Sequence, residues 1–107
     1  AMTLKYNNIF SVGLEDKPEE ALELQTRSDL MLVLKNIIAE KRWPQKTAGE
    51  KLGLTQPQVS DLVNGRIEKF RSDRLLKCLG QLGFVLRPKY EKQTLRVDVV
   101  QQTKMPC

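Results

Sequence analysis

The stretch Gln56-Pro57-Gln58-Val59-Ser60-Asp61 brings four polar side chains close together in sequence. A glutamine amide carries both a donor and an acceptor. It can therefore pair with N6 and N7 of one adenine, a contact that discriminates by about 1 to 3 kcal/mol. Asn64, Arg66 and Lys69, together with Arg71, follow at once and offer groups that suit phosphate oxygens, where contacts raise affinity without reading sequence. For Lys69 a solvated surface charge is as good a reading as a phosphate contact; for Arg66 the contact is the better one. Lys46, upstream, is a further cation of the same kind. The chemistry on offer is hydrogen bonding and charge rather than bond making. Histidine is absent and only two cysteines are present. That disfavours both a four-ligand zinc site and imidazole acid-base catalysis. No nucleophile-base pair, glycine-rich phosphate loop or metal cluster is spelled out, and Asp61 beside Ser60 is not such a pair. Neither an enzyme nor a cofactor is expected.

These side chains need two short helices to present them. Gln45 to Leu52 reads as the first, Gly53-Leu54-Thr55 as a turn, and Gln56 to Val63 as the second. The Thr55 hydroxyl can cap the second helix, and Pro57 is tolerated in a first turn whose amides have no intrahelical partner. Asn64-Gly65 supplies the stop. Ala48 and Gly49 let the two helices approach, Gly53 takes the bend, and Leu52, Leu54, Val59 and Leu62 form the inner faces. Gln56, Gln58, Ser60 and Asp61 then lie at the start of the second helix, where this motif delivers side chains to base edges.

A helix is expected to precede the pair, capped at Asp16, with Pro18 in its first turn and Glu19 and Glu20 at the positive end of its dipole. Leu22, Met31, Leu34, Ile37 and Ile38 continue at helical spacing. Thr26, Ser28 and Asp29 leave open whether this is one helix or two, and Pro44 ends it near Lys41-Arg42-Trp43. Trp43 is expected to cover the core rather than to stack on a ligand. A further helix starts at Ser72 or Arg71 before Asp73, with Leu75, Leu76, Leu79 and Leu82 as its apolar face and Gly83 as its end. Beyond it, Phe84-Val85-Leu86 and the alternation from Leu95 to Val100 read as two strands joined by a loop over Pro88 to Gln93, a C-terminal antiparallel hairpin. A lone hairpin is marginal in water. It needs a helix beneath, a sheet beside it or a second subunit, and Leu95 to Val100 is the candidate dimer interface.

Residues 2–17 show no sustained period and read as an N-terminal arm in which Tyr6, Ile9 and Phe10 either fold back or meet another protein. Residues 18–86 are the helical domain, and 87–107 the strand segment and tail. The chain has 107 residues, room for one core. Its net charge of +5 and pI near 9.4 suit a polyanionic partner, although on charge alone plain solubility is the better explanation. No apolar run long enough to cross a bilayer and no leader is seen, so no membrane is expected and the location is expected to be cytoplasmic, on the nucleoid. Ala1 reads as a tag remnant and Met2 as the natural start. Cys78 reads as core and Cys107 as tail, with no disulfide between them.

The run Lys51-Leu52-Gly53-Leu54-Thr55-Gln56-Pro57-Gln58-Val59-Ser60-Asp61-Leu62, followed by Asn64-Gly65-Arg66 and then Phe70, Asp73 and Leu75-Leu76, resembles the helix-turn-helix of the Xre/Cro repressor family. The similarity covers roughly residues 28–86 and is to the branch of short HigA-like antitoxins. It implies a mainly α fold, a lambda-repressor-like helical bundle with a helix-turn-helix and a short C-terminal β-hairpin or strand. It also implies that Gln45 contacts phosphate and that Gln56 and Gln58 face bases, within a DNA-binding set of Gln45, Lys46, Thr55, Gln56, Gln58, Ser60, Asp61, Asn64, Arg66 and Lys69. Gly49 departs from the alanine most common there and is expected to loosen its helix. Pro57 stands where relatives can place a base-reading side chain.

The implied function is that of a sequence-specific repressor of double-stranded DNA and the antitoxin of a type II pair, autoregulating its operon and neutralising a RelE/HigB-like ribonuclease. Glu15, Asp16, Glu19, Glu20 and Glu23 suit a basic partner of that kind. A homodimer on a palindromic operator is expected, because one recognition helix covers only a few base pairs and useful specificity comes from two half-sites about one helical turn apart. An autonomous Cro-like repressor without a toxin, and a protein-interaction module that has lost DNA binding, are the alternatives.

Overall fold

The computed structural model describes residues 2–7 and 18–102. The expectations for Ile9, Phe10, Glu15, the cap at Asp16 and Cys107 lie outside the described residues. The elements in chain order are β1 (Met2–Asn7), α1 (Pro18–Lys41), α2 (Gln45–Leu52), α3 (Gln56–Val63), a 3-10 turn (Ile67–Lys69), α4 (Ser72–Gln81), β2 (Phe84–Glu91) and β3 (Thr94–Gln101).

α1 is one helix. Asp29, one of the residues expected as a possible restart, bonds along the helix instead: the Gln25 side-chain amide donates to it at 3.0 Å, and Arg27 pairs with Glu23 at 2.6 Å, both one turn apart. It ends where the sequence indicates. Arg42 takes the left-handed conformation at φ 57°, the Trp43 N–H donates to the Ile38 carbonyl at 3.2 Å, and the half-buried Trp43 packs against the core. α1 buries Leu30, Met31, Val33, Leu34, Ile37 and Ile38 against Ala48 and Leu52 of α2, Val59 and Leu62 of α3, and Leu75, Cys78 and Leu79 of α4. On α4 the buried face is Leu75, Cys78 and Leu79 rather than the expected run of leucines. Leu76 is 41% exposed, because one residue past Leu75 the helix has turned about 100° away from the core.

The three strands form one antiparallel sheet in the order β1-β3-β2. Val99 of β3 is fully buried in the same core as the helices, and Leu4, Phe84 and Leu86 pack against that core. The expected hairpin is present and has both kinds of support, helices beneath and a strand beside. Its turn is shorter than expected. Lys92 and Gln93 alone make it, at φ 50° and 63°, and β2 runs through Pro88 to Glu91. Two successive left-handed residues match the twist of the flanking strands. The bond from the Gln102 N–H to the Gly83 carbonyl fixes the phase of the ladder, and the alternation of an antiparallel pair then turns the Pro88 nitrogen to the outer edge, where no donor is needed.

Two expectations are corrected. The first six residues of the arm are a strand, with Leu4 opposite Val97 and the Thr3 hydroxyl donating to Asp98 at 2.8 Å. Leu95 to Val100 does not offer an edge to a second subunit, because β3 is the central strand and β1 and β2 occupy both its edges.

Candidate nucleic-acid interface

The turn between α2 and α3 is built from local signals. Gly53 is left-handed at φ 75°, and the Leu54 N–H donates to the Gly49 carbonyl at 2.8 Å, which draws the chain tightly round. Gly49 is buried, and a Cβ there would stand 2.6 Å from the Leu54 carbonyl oxygen. The glycine therefore tightens the crossing instead of loosening its helix, which runs unbroken from Gln45 to Leu52.

α3 opens with a reciprocal cap. The Gln58 N–H donates to the Thr55 hydroxyl at 3.3 Å, and the Thr55 N–H donates to the Gln58 side-chain carbonyl at 2.9 Å, so each side-chain oxygen satisfies a backbone N–H at the start of the helix. This alters the expectation for Gln58. A bidentate adenine contact needs its carbonyl oxygen and its NH2 together; the oxygen already accepts from the Thr55 N–H, which ties its orientation and leaves one lone pair and the NH2 to offer. The Thr-x-x-Gln spacing is the signal in the sequence that points to this cap. Gln56 is different. It is exposed at the first position of α3, and among the described residues no side-chain hydrogen bond engages its amide.

Further along α3 the expected residues meet in pairs. The Asn64 side-chain amide donates to the Ser60 hydroxyl at 3.3 Å, and Arg66 pairs with Asp61 at 3.6 Å while the Arg66 N–H donates to the Asp61 carbonyl. Asp61 on this surface would repel phosphate; the adjacent guanidinium offsets its charge and is itself held in place, with the arginine side chain still 55% exposed. Gln45 and Lys46 are exposed at the start of α2, and Lys69 is exposed on the 3-10 turn, its N–H donating to the Arg66 carbonyl at 3.0 Å.

A tie that sequence reasoning missed anchors this loop to α1. Arg27 donates to the Ile67 carbonyl at 3.3 Å and to Glu23, and the Ser72 hydroxyl donates to Glu23 at 2.7 Å. The hydrogen bond from Ser72, then that from Arg27, holds the Glu23 carboxyl below its ordinary pKa. The Glu23/Arg27 spacing is visible in the sequence, but Ser72 lies 49 residues away. Arg71 and Arg74 extend the exposed cations of Arg66 and Lys69 onto α4. Glu23, expected among the acids facing a basic partner, is thus committed within the chain. Among the described residues no cluster of potential metal ligands occurs, and no helix is long and apolar enough to cross a membrane.

Residues 14–87 match a protein family described as a helix-turn-helix domain. A solved structure described as an XRE family transcriptional regulator is similar at 28% identity and a TM-score of 0.56, covering 82% of this chain and 99% of that one. No curated protein matches this chain.

Proposed function

The chain belongs to the helix-turn-helix domain family, and from that premise we propose that it is a DNA-binding transcriptional regulator whose α3 enters the major groove as the recognition helix. The observation that carries this reading is the start of α3: a cap that rigidly fixes the first turn and leaves the Gln56 amide free at its tip. Gln56 reads base edges, Ser60 and the Gln58 NH2 supplement it, and Gln45, Lys46, Thr55, Asn64, Arg66 and Lys69 hold the backbone. The similarity to an XRE family regulator supports the same assignment.

More narrowly, the protein is a repressor that binds a palindromic operator as a homodimer in the cytoplasm, and the antitoxin of a type II pair with a RelE/HigB-like ribonuclease. The resemblance of the segment around Thr55 to Asn64 supports the antitoxin role, and α1 offers a surface for it in the exposed Leu24, Leu32 and Glu19. The test has two parts. Purified protein is titrated, at several salt concentrations, against its own upstream DNA and a scrambled control; equal, equally salt-sensitive binding to both rules out a local operator. Any small open reading frame beside the gene is then expressed with and without this chain, and growth arrest that this chain does not relieve leaves an autonomous repressor.

A further inference from the structure

The sheet has two outer edges, and they differ. On β2 the ladder turns the N–H groups of Phe84, Leu86 and Tyr90 outward, and Pro88 interrupts the row because it has none. On β1 the same alternation, carried across β3, turns the backbone groups of Thr3, Lys5 and Asn7 outward in an unbroken row. Among the described elements β1 is paired only with β3. An edge of this kind is a template for another strand.

We propose that β1 pairs with β1 of a second copy of this chain, antiparallel across a two-fold axis, to make a continuous six-stranded sheet. The register follows from charge. In one chain Lys5, Arg96 and Lys89 stand at opposed positions across all three strands, a row of cations, and the neighbouring row is Thr3, Asp98 and Arg87. A two-fold register with Lys5 opposite Lys5 of the partner subunit would align two cation rows end to end, six like charges in one line. Moving by one position to Leu4 opposite Leu4 of the partner subunit places the cation row of each copy beside the row holding the Asp98 carboxylate of the other, and keeps five of the six β1 positions paired. Like charges directly opposite destabilise, so the second register, which sets Lys5 against the uncharged Thr3 of the partner subunit, is selected. It also keeps the ladder in phase, because Thr3 and Lys5, both with outward backbone groups, then face each other. The second copy is the fitting occupant because the edge is complementary to itself in this register, and because the proposed operator reading calls for two recognition helices.

This inference rests on the two-fold part of the proposed function but is tested without DNA, so the two fail separately. Sedimentation equilibrium of the full chain at 1 to 100 µM is expected to give a dimer. Lys5→Pro removes one outward N–H and none that bonds to β3; it is expected to weaken the dimer at least tenfold with the circular dichroism spectrum unchanged. In a Cys107→Ser background, Leu4→Cys places the two sulfurs at a pair whose Cα separation of about 4.5 Å a disulfide spans. It is expected to cross-link under mild oxidation, whereas Lys5→Cys is not. A wild-type monomer throughout the range overturns the proposal and leaves the edge to a strand of another protein; a dimer undiminished by Lys5→Pro, or cross-linking at Lys5→Cys but not at Leu4→Cys, overturns the assigned surface or its register.

Discussion

Thr55 and Gln58 hold each other at the start of α3, hydroxyl to backbone N–H at 3.3 Å and backbone N–H to side-chain carbonyl at 2.9 Å. Gln58 is thereby part of the scaffold, and its neighbour Gln56, which scaffolds nothing, is the proposed base reader. Substitutions separate the two roles. Thr55→Ala and Gln58→Ala are each expected to destabilise by about 1 kcal/mol through loss of the cap. Gln56→Ala is expected to leave the melting temperature unchanged and to weaken operator binding by about 1 to 3 kcal/mol with no loss on random DNA. Paired melting and binding titrations check this; an equal loss on both DNAs for Gln56→Ala would sink base reading at that position.

The Asp61/Arg66 pair makes a prediction about salt. Arg66→Ala would remove the proposed phosphate contact and leave the Asp61 charge without its partner, so affinity should fall for all sequences alike and the slope of log affinity against log salt should become shallower by about one. Asp61→Asn should act the other way and tighten binding to random DNA. Titrations at four or more salt concentrations decide it, and an unchanged slope for Arg66→Ala would place that arginine away from phosphate.

Gly49→Ala sets two effects against each other. Alanine favours a helix over glycine by up to about 1 kcal/mol. Its Cβ, however, would meet the Leu54 carbonyl oxygen at 2.6 Å, and that atom belongs to the backbone of the turn and cannot swing aside. Overpacking costs about 1 to 3 kcal/mol, so a net loss of about 1 to 2 kcal/mol is expected, read as a lower urea midpoint. A gain in stability would mean that the turn opens freely.

The helix-turn-helix was legible because its determinants are neighbours in the chain: Gly53 for the bend, Thr55 for the cap, and Asn64-Gly65 for the stop, with Gly65 at φ 71°. The sheet was legible only where its strands follow one another. β1 has the alternation of a strand, but six residues give too short a period to stand out, and its mate lies more than ninety positions away. The turn was misplaced because Lys92 and Gln93 are not residues that usually accept positive φ, whereas Pro88 ordinarily signals a break. Among the proposed site residues, the exposed place of Gln56 at the head of α3 was legible from its type and position. The Glu23–Ser72 bond depends on how α1 crosses α4, which no local pattern encodes.

The carboxylates predict acid lability. Glu23 is held below its ordinary pKa by Ser72 and then Arg27, and Asp98 by the Thr3 hydroxyl with help from Lys89 and Arg96. Between the lowered folded values and the unfolded ones near 4 the folded chain binds fewer protons. The stabilisation is thus complete above the unfolded values and is lost as pH falls through the folded ones. Urea midpoints should be nearly level from pH 7 to about 5 and decline below about 4, and Glu23→Gln should soften that decline. A wild-type chain that gains stability on acidification contradicts both assignments.

The hairpin turn carries a cost that substitution can remove. Lys92 and Gln93 sit at φ 50° and 63°, where a Cβ crowds the backbone and each ordinary residue loses about 1 kcal/mol or more. Asparagine tolerates this region and glycine adopts it freely, so Lys92→Asn with Gln93→Gly relieves the folded state. Glycine also gives the unfolded chain more freedom, which cancels part of the gain. The balance is expected to be about 1 kcal/mol of added stability, a rise of about 4 to 8 °C in melting temperature for a domain of this size. Because β3 lies between β2 and β1, a firmer hairpin also steadies the strand on which β1 is built, so hydrogen exchange at Leu4, whose backbone groups face β3, should slow along with that at Val97 and Val99. Slower exchange confined to β2 and the turn would show that the two halves of the sheet open independently.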